Sequence, residues 1–207
     1  MQHGPFTIIA PALQAPSHSE AQTLGAVVWL WLQAQSHRNT PLHALTTLLL
    51  PALRSGQFIL ALADQPHTSV QTRTPVGYLA WACLSAQAES RYVHRPASAM
   101  READWCSGDR MWFTDWLTPF GHTQAFGAAV QQLLPHAFAR ALHHRGDERG
   151  LRVQHFRGRH TTKAQAQQWW QARPILAQAP PPSAPSFEAT QQVAVSVPMP
   201  VTTDPRP

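Results

Sequence analysis

The chain has 207 residues, 43% of them hydrophobic, with a formal charge of +5, which suits one globular unit with a sizeable core. Its longest apolar run, Leu24 to Leu32, falls short of the ~20 residues a spanning helix needs, and no basic region followed by an apolar block opens the chain, so neither a membrane span nor an export leader is expected and the cytoplasm is the expected compartment. Two cysteines, Cys83 and Cys106, lack CxxC or Cys/His ligand spacing, which argues against a disulfide framework and a metal site.

Residues 1–16 lack periodicity and are expected to be a mobile extension outside the fold. The spacing of Ser17 and Glu20 suggests a capping box, and Leu24, Val27, Val28 and Trp31 then recur at i, i+3, i+4 and i+7, predicting a helix that ends near Gln33. After a polar loop containing His37, Pro41 suits the first turn of a second helix capped by Asn39 or Thr40, with Leu42, Leu45, Leu48, Leu49, Ala52 and Leu53 as its apolar face and Gly56 as its stop. Two strands are predicted over Gln57–Ala63 and Val76–Leu84, then a short helix capped by Ser85 through Tyr92.

Arg110–Leu117 reads as a strand whose alternation sets Met111, Phe113, Asp115 and Leu117 on one face and Trp112, Thr114 and Trp116 on the other. Thr123 to His144 carries a helical pattern interrupted by Pro135, Leu151–Phe156 is a further strand, and Thr162–Leu176 a last helix. The order of elements suggests an α/β or α+β sheet covered on at least one face. The expected domain spans residues 17–177, followed by a Pro-rich disordered tail over 178–207.

Charge is uneven along the chain. Residues 1–139 hold seven Arg against seven Asp/Glu, whereas 140–207 hold nine Lys/Arg against four. Eight of those basic residues fall between Arg140 and Arg173, a candidate face for nucleic acid, an anionic membrane surface or an acidic protein.

Chemistry concentrates in two places. Asp115 lies in line with apolar neighbours, and a buried carboxylate costs several kcal/mol unless paired, so it needs a specific partner; an arginine such as Arg110 would serve. His37, in a loop among Ser36, Arg38 and Asn39, can titrate near neutral pH and act as a general base, or simply lie on the surface or cap a helix. Asp109 reads as a turn residue, the tryptophans as core, and Cys106 as a nucleophile only if a histidine serves it. There is no GxSxG, GxxxxGK[ST], GxGxxG or HExxH.

Three blocks, LGAVVWLWLQAQSHRNTP, TPVGYLAWACLS and DWCSGDRMWFTDWLTPFG, occur in an order that resembles the toxin-activating lysine acyltransferases, the hemolysin-activating type that works on RTX protoxins. The resemblance covers roughly residues 22–160. It implies an α/β fold similar to the Gcn5-related acetyltransferases, a mixed, mainly antiparallel sheet flanked by helices in a single domain. It also implies a catalytic pair, His37 as base and Asp115 as its orienting partner, with Asn39, Arg110, Trp112 and Phe113 as expected substrate-binding residues. Thr40 stands where the family usually has Trp and Ala34 where serine is common, and Gln65–Thr74 looks like an insertion.

The implied reaction is transfer of a fatty acyl chain from acyl carrier protein, as an acyl-phosphopantetheine thioester, to internal lysines of an RTX protoxin, activating it. No permanently bound cofactor is expected, and a homodimer is implied. The sequence also lacks a Gly-rich pyrophosphate turn, and the basic 140–173 segment would suit an acidic carrier protein. Two other readings compete: an acyltransferase of the same fold acting on another protein or a small amine, and a basic nucleic-acid-binding or adaptor protein. The latter accounts for neither the WFTDW block nor the lack of interleaved aromatic and basic residues over 140–160, so no nucleic-acid partner is expected.

Overall fold

The computed structural model describes residues 1–14, 18–64, 73–95, 99–144 and 151–176, and its strands form one seven-stranded sheet in sequence order. The chain enters that sheet at once, through β1 (Gln2–His3) and β2 (Phe6–Ile9), where a segment outside the fold was expected. Burial explains the difference: Phe6 and Ile8 are 1% and 0% exposed, and β2 pairs antiparallel with β3 (Phe58–Asp64). FTII is too short to show periodicity, yet it closes one edge of the core.

Helix α1 (Glu20–Gln33) starts at Ser19, whose hydroxyl accepts from the Gln22 N–H while the Gln22 side chain accepts from the Ser19 N–H. The capping box thus lies two residues beyond the expected Ser17–Glu20 pair, and Ser17 is outside the described residues. The expected single helix from Pro41 to Gly56 is broken into a 3-10 turn (Leu42–Ala44), α2 (Leu45–Leu48) and α3 (Leu50–Ser55). Pro51 accounts for the break between α2 and α3: it has no N–H to donate to the preceding turn, so the helical ladder is interrupted at Leu49. Gly56, at φ 69°, caps α3 in the left-handed conformation.

Strand β4 (Arg73–Leu84) follows β3 in antiparallel register, and α4 (Ala86–His94) begins where the Ser85 hydroxyl accepts from the Ala88 N–H. Next come β5 (Arg110–Leu117), α5 (Thr123–Leu133), β6 (Phe138–His144), β7 (Leu151–Arg157) and α6 (Lys163–Gln171). The helical pattern read over Thr123–His144 is therefore half wrong. Past Pro135 the chain turns into β6, which pairs parallel with β5 at Trp112 and Phe113 and antiparallel with β7 along its length. Among the described residues, the β5–β6 pair is the sheet's one parallel neighbour relation.

Helices cover both faces. Val27, Leu30 and Trp31 of α1, Ala52 and Leu53 of α3, and Ala88 and Tyr92 of α4 pack on Tyr78, Ala80, Ala82 and Trp112. On the other face, Phe126, Ala129, Val130 and Leu133 of α5 pack on Ile59, Leu79, Trp81 and Phe113. The α6 helix covers the outer strands, with Trp169 stacked on Phe138. Among the described residues, no helix is long and apolar enough to cross a membrane. The expected tail over 178–207 and most of the Gln65–Thr74 insertion lie outside the described residues.

Candidate active site

Strand β5 carries a bulge that decides which side chains meet. Asp115 pairs with Ala80 and Phe113 with Trp81, so Thr114 is the extra residue and alternation resets across it. Asp115 and Leu117 consequently share a face with Trp112, beneath α1 and α4, while Met111, Phe113 and Trp116 face α5. This corrects the strict alternation read from sequence, which set Asp115 beside Met111 and Phe113. The bulge aims the carboxylate at the C-terminal end of α1.

Three groups converge there. Asp115 Oδ1 lies 3.3 Å from His37 Nε2, and Asp115 Oδ2 accepts a hydrogen bond of 3.1 Å from Trp31 Nε1. The Trp31 and His37 rings are themselves in contact, centroids 4.8 Å apart. His37 is held by backbone geometry: its N–H and that of Arg38 both donate to Ala34 O, and the Thr40 N–H donates to His37 O. Its other ring nitrogen, Nδ1, is 2.7 Å from Ser36 Oγ. The His37 side chain is 25% exposed and that of Asp115 11%, so the pair sits at the edge of the core with access from solvent.

The partner that Asp115 needs is thus His37 together with Trp31, not an arginine. Trp31 was readable only as a residue of the buried helix face; that its indole N–H serves the carboxylate follows from the bulge. The negative charge is felt beneath the pair: burial first, then the field of Asp115, raises the hydroxyls of Tyr78 and Tyr92. The Tyr78 hydroxyl is buried and makes no hydrogen bond among the described residues.

The expected substrate-binding residues divide differently. Asn39 is exposed in the His37 loop. Trp112 is 0% exposed, and its Nε1 donates to Glu89 Oε1 at 2.8 Å. Arg110 donates to Glu89 Oε2 and to the carbonyl of Pro174. Phe113 is buried against Phe156 and Trp116. Trp112 and Phe113 are therefore buried, and Arg110 is 13% exposed with its guanidinium engaged. Arg110 and Trp112 take part in an ion cluster around Glu89, itself 0% exposed, which Arg140 completes at 2.6 Å. Arg140 also donates to the carbonyls of Trp170 and Arg173, tying the end of α6 to the sheet.

The turn before β5 fixes the strand's start. At Gly108 an added Cβ would lie 2.6 Å from Leu84 O and 2.7 Å from Ser85 N, so the glycine of SGDR allows a close backbone approach that no other residue permits. Asp109 pairs with Arg173 across that turn, and the Arg173 hydrogen bond holds its carboxyl below the ordinary range. Among the described residues no three His, Cys, Asp or Glu side chains converge as metal ligands.

The basic stretch is narrower than its sequence suggests. Arg140 is buried, Arg157 donates to Thr161 O and Arg173 is paired with Asp109, while Arg145 and Arg149 lie outside the described residues. Arg152, Arg159 and Lys163 are exposed. A cavity of roughly 470 Å³ lies between β6 and α6, lined by His136, Phe138, His160 and Trp169, and His37 and Asp115 do not border it.

Comparison with known proteins matches residues 17–157 to the RTX toxin acyltransferase family. The RTX-I toxin-activating lysine-acyltransferase of Actinobacillus pleuropneumoniae is 34% identical over 137 residues, covering 66% of this chain and 74% of the relative. A protein-lysine myristoyltransferase of Kingella kingae is 31% identical over 145 residues, 70% of this chain and 81% of its own. A protein-lysine palmitoyltransferase of Bordetella bronchiseptica is 34% identical over 155 residues, 72% and 79% respectively.

Proposed function

The chain belongs to the RTX toxin acyltransferase family, and we propose that it moves a fatty acyl group from the phosphopantetheine thioester of acyl carrier protein to lysine side chains of an RTX protoxin. The observation that carries the mechanism is the 3.3 Å contact between His37 Nε2 and Asp115 Oδ1 at a solvent-accessible edge. A lysine amine has a pKa near 10.4 and is almost wholly protonated at neutral pH, so it attacks a thioester only once a base removes a proton. In this reading His37 is that base. Asp115 fixes its tautomer and stabilises the imidazolium that forms, and Trp31 holds the carboxylate's second oxygen so that the first stays on the ring.

The relatives' names supply the acceptor: they are lysine acyltransferases, two of them specified as myristoyl- and palmitoyl-transferring. The carrier-protein donor is supported by the exposed Arg159 and Lys163 between β7 and α6, basic residues suited to an acidic partner. A fold of the Gcn5-related type is supported by a mainly antiparallel sheet with a parallel neighbour pair and helices on both faces. The same reading takes the enzyme as a cytoplasmic homodimer acting before its toxin is exported.

The test is acyl transfer in vitro. Enzyme, acyl carrier protein thioester and an RTX protoxin are incubated, and acyl-lysines are mapped by mass spectrometry. Wild type should modify internal lysines, and His37→Ala should abolish modification with an unchanged melting curve. Full activity in His37→Ala removes the base assignment; no acyl-lysine from an active donor and a genomically adjacent protoxin removes the reaction.

A further inference from the structure

We propose that Ser36 is the proton relay between the acceptor amine and His37, so that the catalytic unit is Ser36–His37–Asp115. The proposal rests on His37 being the base and extends that reading to an atom. A neutral imidazole has one N–H and one lone-pair nitrogen. The Asp115 carboxylate can only accept, so Nε2, 3.3 Å from it, carries the hydrogen. The lone pair is then on Nδ1, the reverse of the familiar triad, in which the carboxylate holds Nδ1 and Nε2 does the work.

Nδ1 is not open to a substrate. Ser36 Oγ lies 2.7 Å from it, and with the lone pair on nitrogen the hydroxyl must be the donor. Ser36 is exposed whereas His37 is half-buried, so the serine stands on the solvent side of the base. An incoming amine therefore meets the Ser36 oxygen first. The backbone turn that ties His37 and Arg38 to Ala34 O keeps the two side chains in this relation.

His37, through Ser36, first takes the ammonium proton and releases it to solvent water; from the neutral amine the remaining step balances without any further reactant. The lysine nitrogen attacks the thioester carbon, forming the C–N bond. The amine proton passes to Ser36 Oγ as the Ser36 hydroxyl proton passes to His37 Nδ1, giving an imidazolium held by Asp115. Collapse of the tetrahedral intermediate breaks the C–S bond, and the proton returns from Nδ1 through Ser36 to the leaving thiolate. Amide and thiol are released with Ser36 and His37 restored. A covalent role is the rival use of the same geometry: Ser36 would attack the thioester itself, leaving an acyl ester at an exposed position where water competes for it.

Ser36→Ala, Ser36→Thr and His37→Ala are compared in the full chain, with acyl carrier protein thioester as donor and an RTX protoxin as acceptor. Ser36→Ala should lower kcat about 100-fold, the lower end of the roughly 10²- to 10⁴-fold that general acid–base steps contribute, with donor KM within about twofold. Ser36→Thr, which keeps a hydroxyl, should recover most of the loss. The solvent isotope effect should show a curved proton inventory in wild type, for two protons in flight, and a linear one in Ser36→Ala. Wild-type kcat in Ser36→Ala beside an inactive His37→Ala overturns the relay and leaves the base standing, whereas an active His37→Ala removes the base itself. Failure of Ser36→Thr to recover activity, or an acyl adduct on Ser36 in enzyme mixed with donor alone, also overturns the relay.

Discussion

Replacing Asp115 with asparagine should do more than remove a charge, and Trp31 is the reason. Trp31 Nε1 can only donate, and it donates to Asp115 Oδ2 at 3.1 Å. In Asp115→Asn the amide oxygen is therefore pinned toward Trp31, and the amide NH2 is turned toward His37 Nε2. An NH2 can only donate, so Nε2 must accept, and the ring proton moves to Nδ1. His37 then presents an N–H where a base needs a lone pair. The charge loss alone is large: two unit charges about 4 Å apart at an effective dielectric near 20 interact by roughly 4 kcal/mol, which caps the lost imidazolium stabilisation at about 10³ in rate. The wrong tautomer adds the net worth of a hydrogen bond, about 1 kcal/mol, or some fivefold. Removing the Trp31 donor releases the constraint. In Trp31→Phe/Asp115→Asn the amide is free to flip and offer its oxygen to Nε2, restoring the productive tautomer though not the charge. The double variant should therefore be about fivefold faster than Asp115→Asn, although it carries one more lesion. Single-turnover acylation of protoxin by preloaded acyl carrier protein, followed by intact mass, measures the rates. A double variant no faster than Asp115→Asn refutes the tautomer argument; an Asp115→Asn rate near wild type refutes any role for the charge.

Glu89→Ala should cost about 3–5 kcal/mol, because it leaves buried Arg140 uncompensated and strands the Trp112 N–H; a urea midpoint shifted by less than half a molar would show that the cluster is not structural. Gly108→Ala should cost at least about 1–3 kcal/mol, since its Cβ would press on Leu84 O and Ser85; thermal melting checks this, and an unchanged melting temperature would mean that the turn before β5 can shift without cost. For Asp104, burial works to raise the carboxyl, but the Arg101 backbone N–H and the Arg91 guanidinium outweigh it and hold it below the ordinary range. Its stabilisation is thus complete above the unfolded carboxyl range and lost as pH falls through the lowered folded value. Asp104→Asn should be less stable than wild type at neutral pH, with the gap closing as pH falls through the lowered carboxyl range; a gap independent of pH would mean that charge is not the source.

Most helices and the three long central strands were legible because their signals are local. Capping residues, apolar spacing and the Gly56 stop lie within a few residues of the elements they shape. What could not be read is decided by distant partners. Phe6–Ile9 becomes a strand only because β3 offers an edge and Phe126 a surface, and Phe138–His144 leaves the helical pattern because β5 and β7 take its backbone bonds. At the site, His37 and Asp115 were each visible as residue types out of place, and the resemblance joined them. The bulge at Thr114 was not visible, because nothing local marks it. That missing register set Asp115 on the face away from Trp112, and it is why Trp31 was not legible as its partner.

The same sheet face holds two carboxylates in opposite conditions, and the contrast bears on catalysis. Glu89 is sealed from water and neutralised by Arg110 and Arg140, with the Trp112 N–H on one of its oxygens. Asp115 lies nearer the surface, and among the described residues its polar partners are the Trp31 N–H and His37. Had an arginine taken Asp115, it would have stabilised the carboxylate equally whether His37 were neutral or charged, and the carboxylate's pull on the imidazolium would have been largely cancelled. An indole N–H fixes the oxygen without adding positive charge. The field of Asp115 therefore remains directed at the ring, and it strengthens at the moment the ring takes a proton. The Glu89 cluster holds Arg110 and Arg140 on its own carboxylate while binding α6 to the sheet.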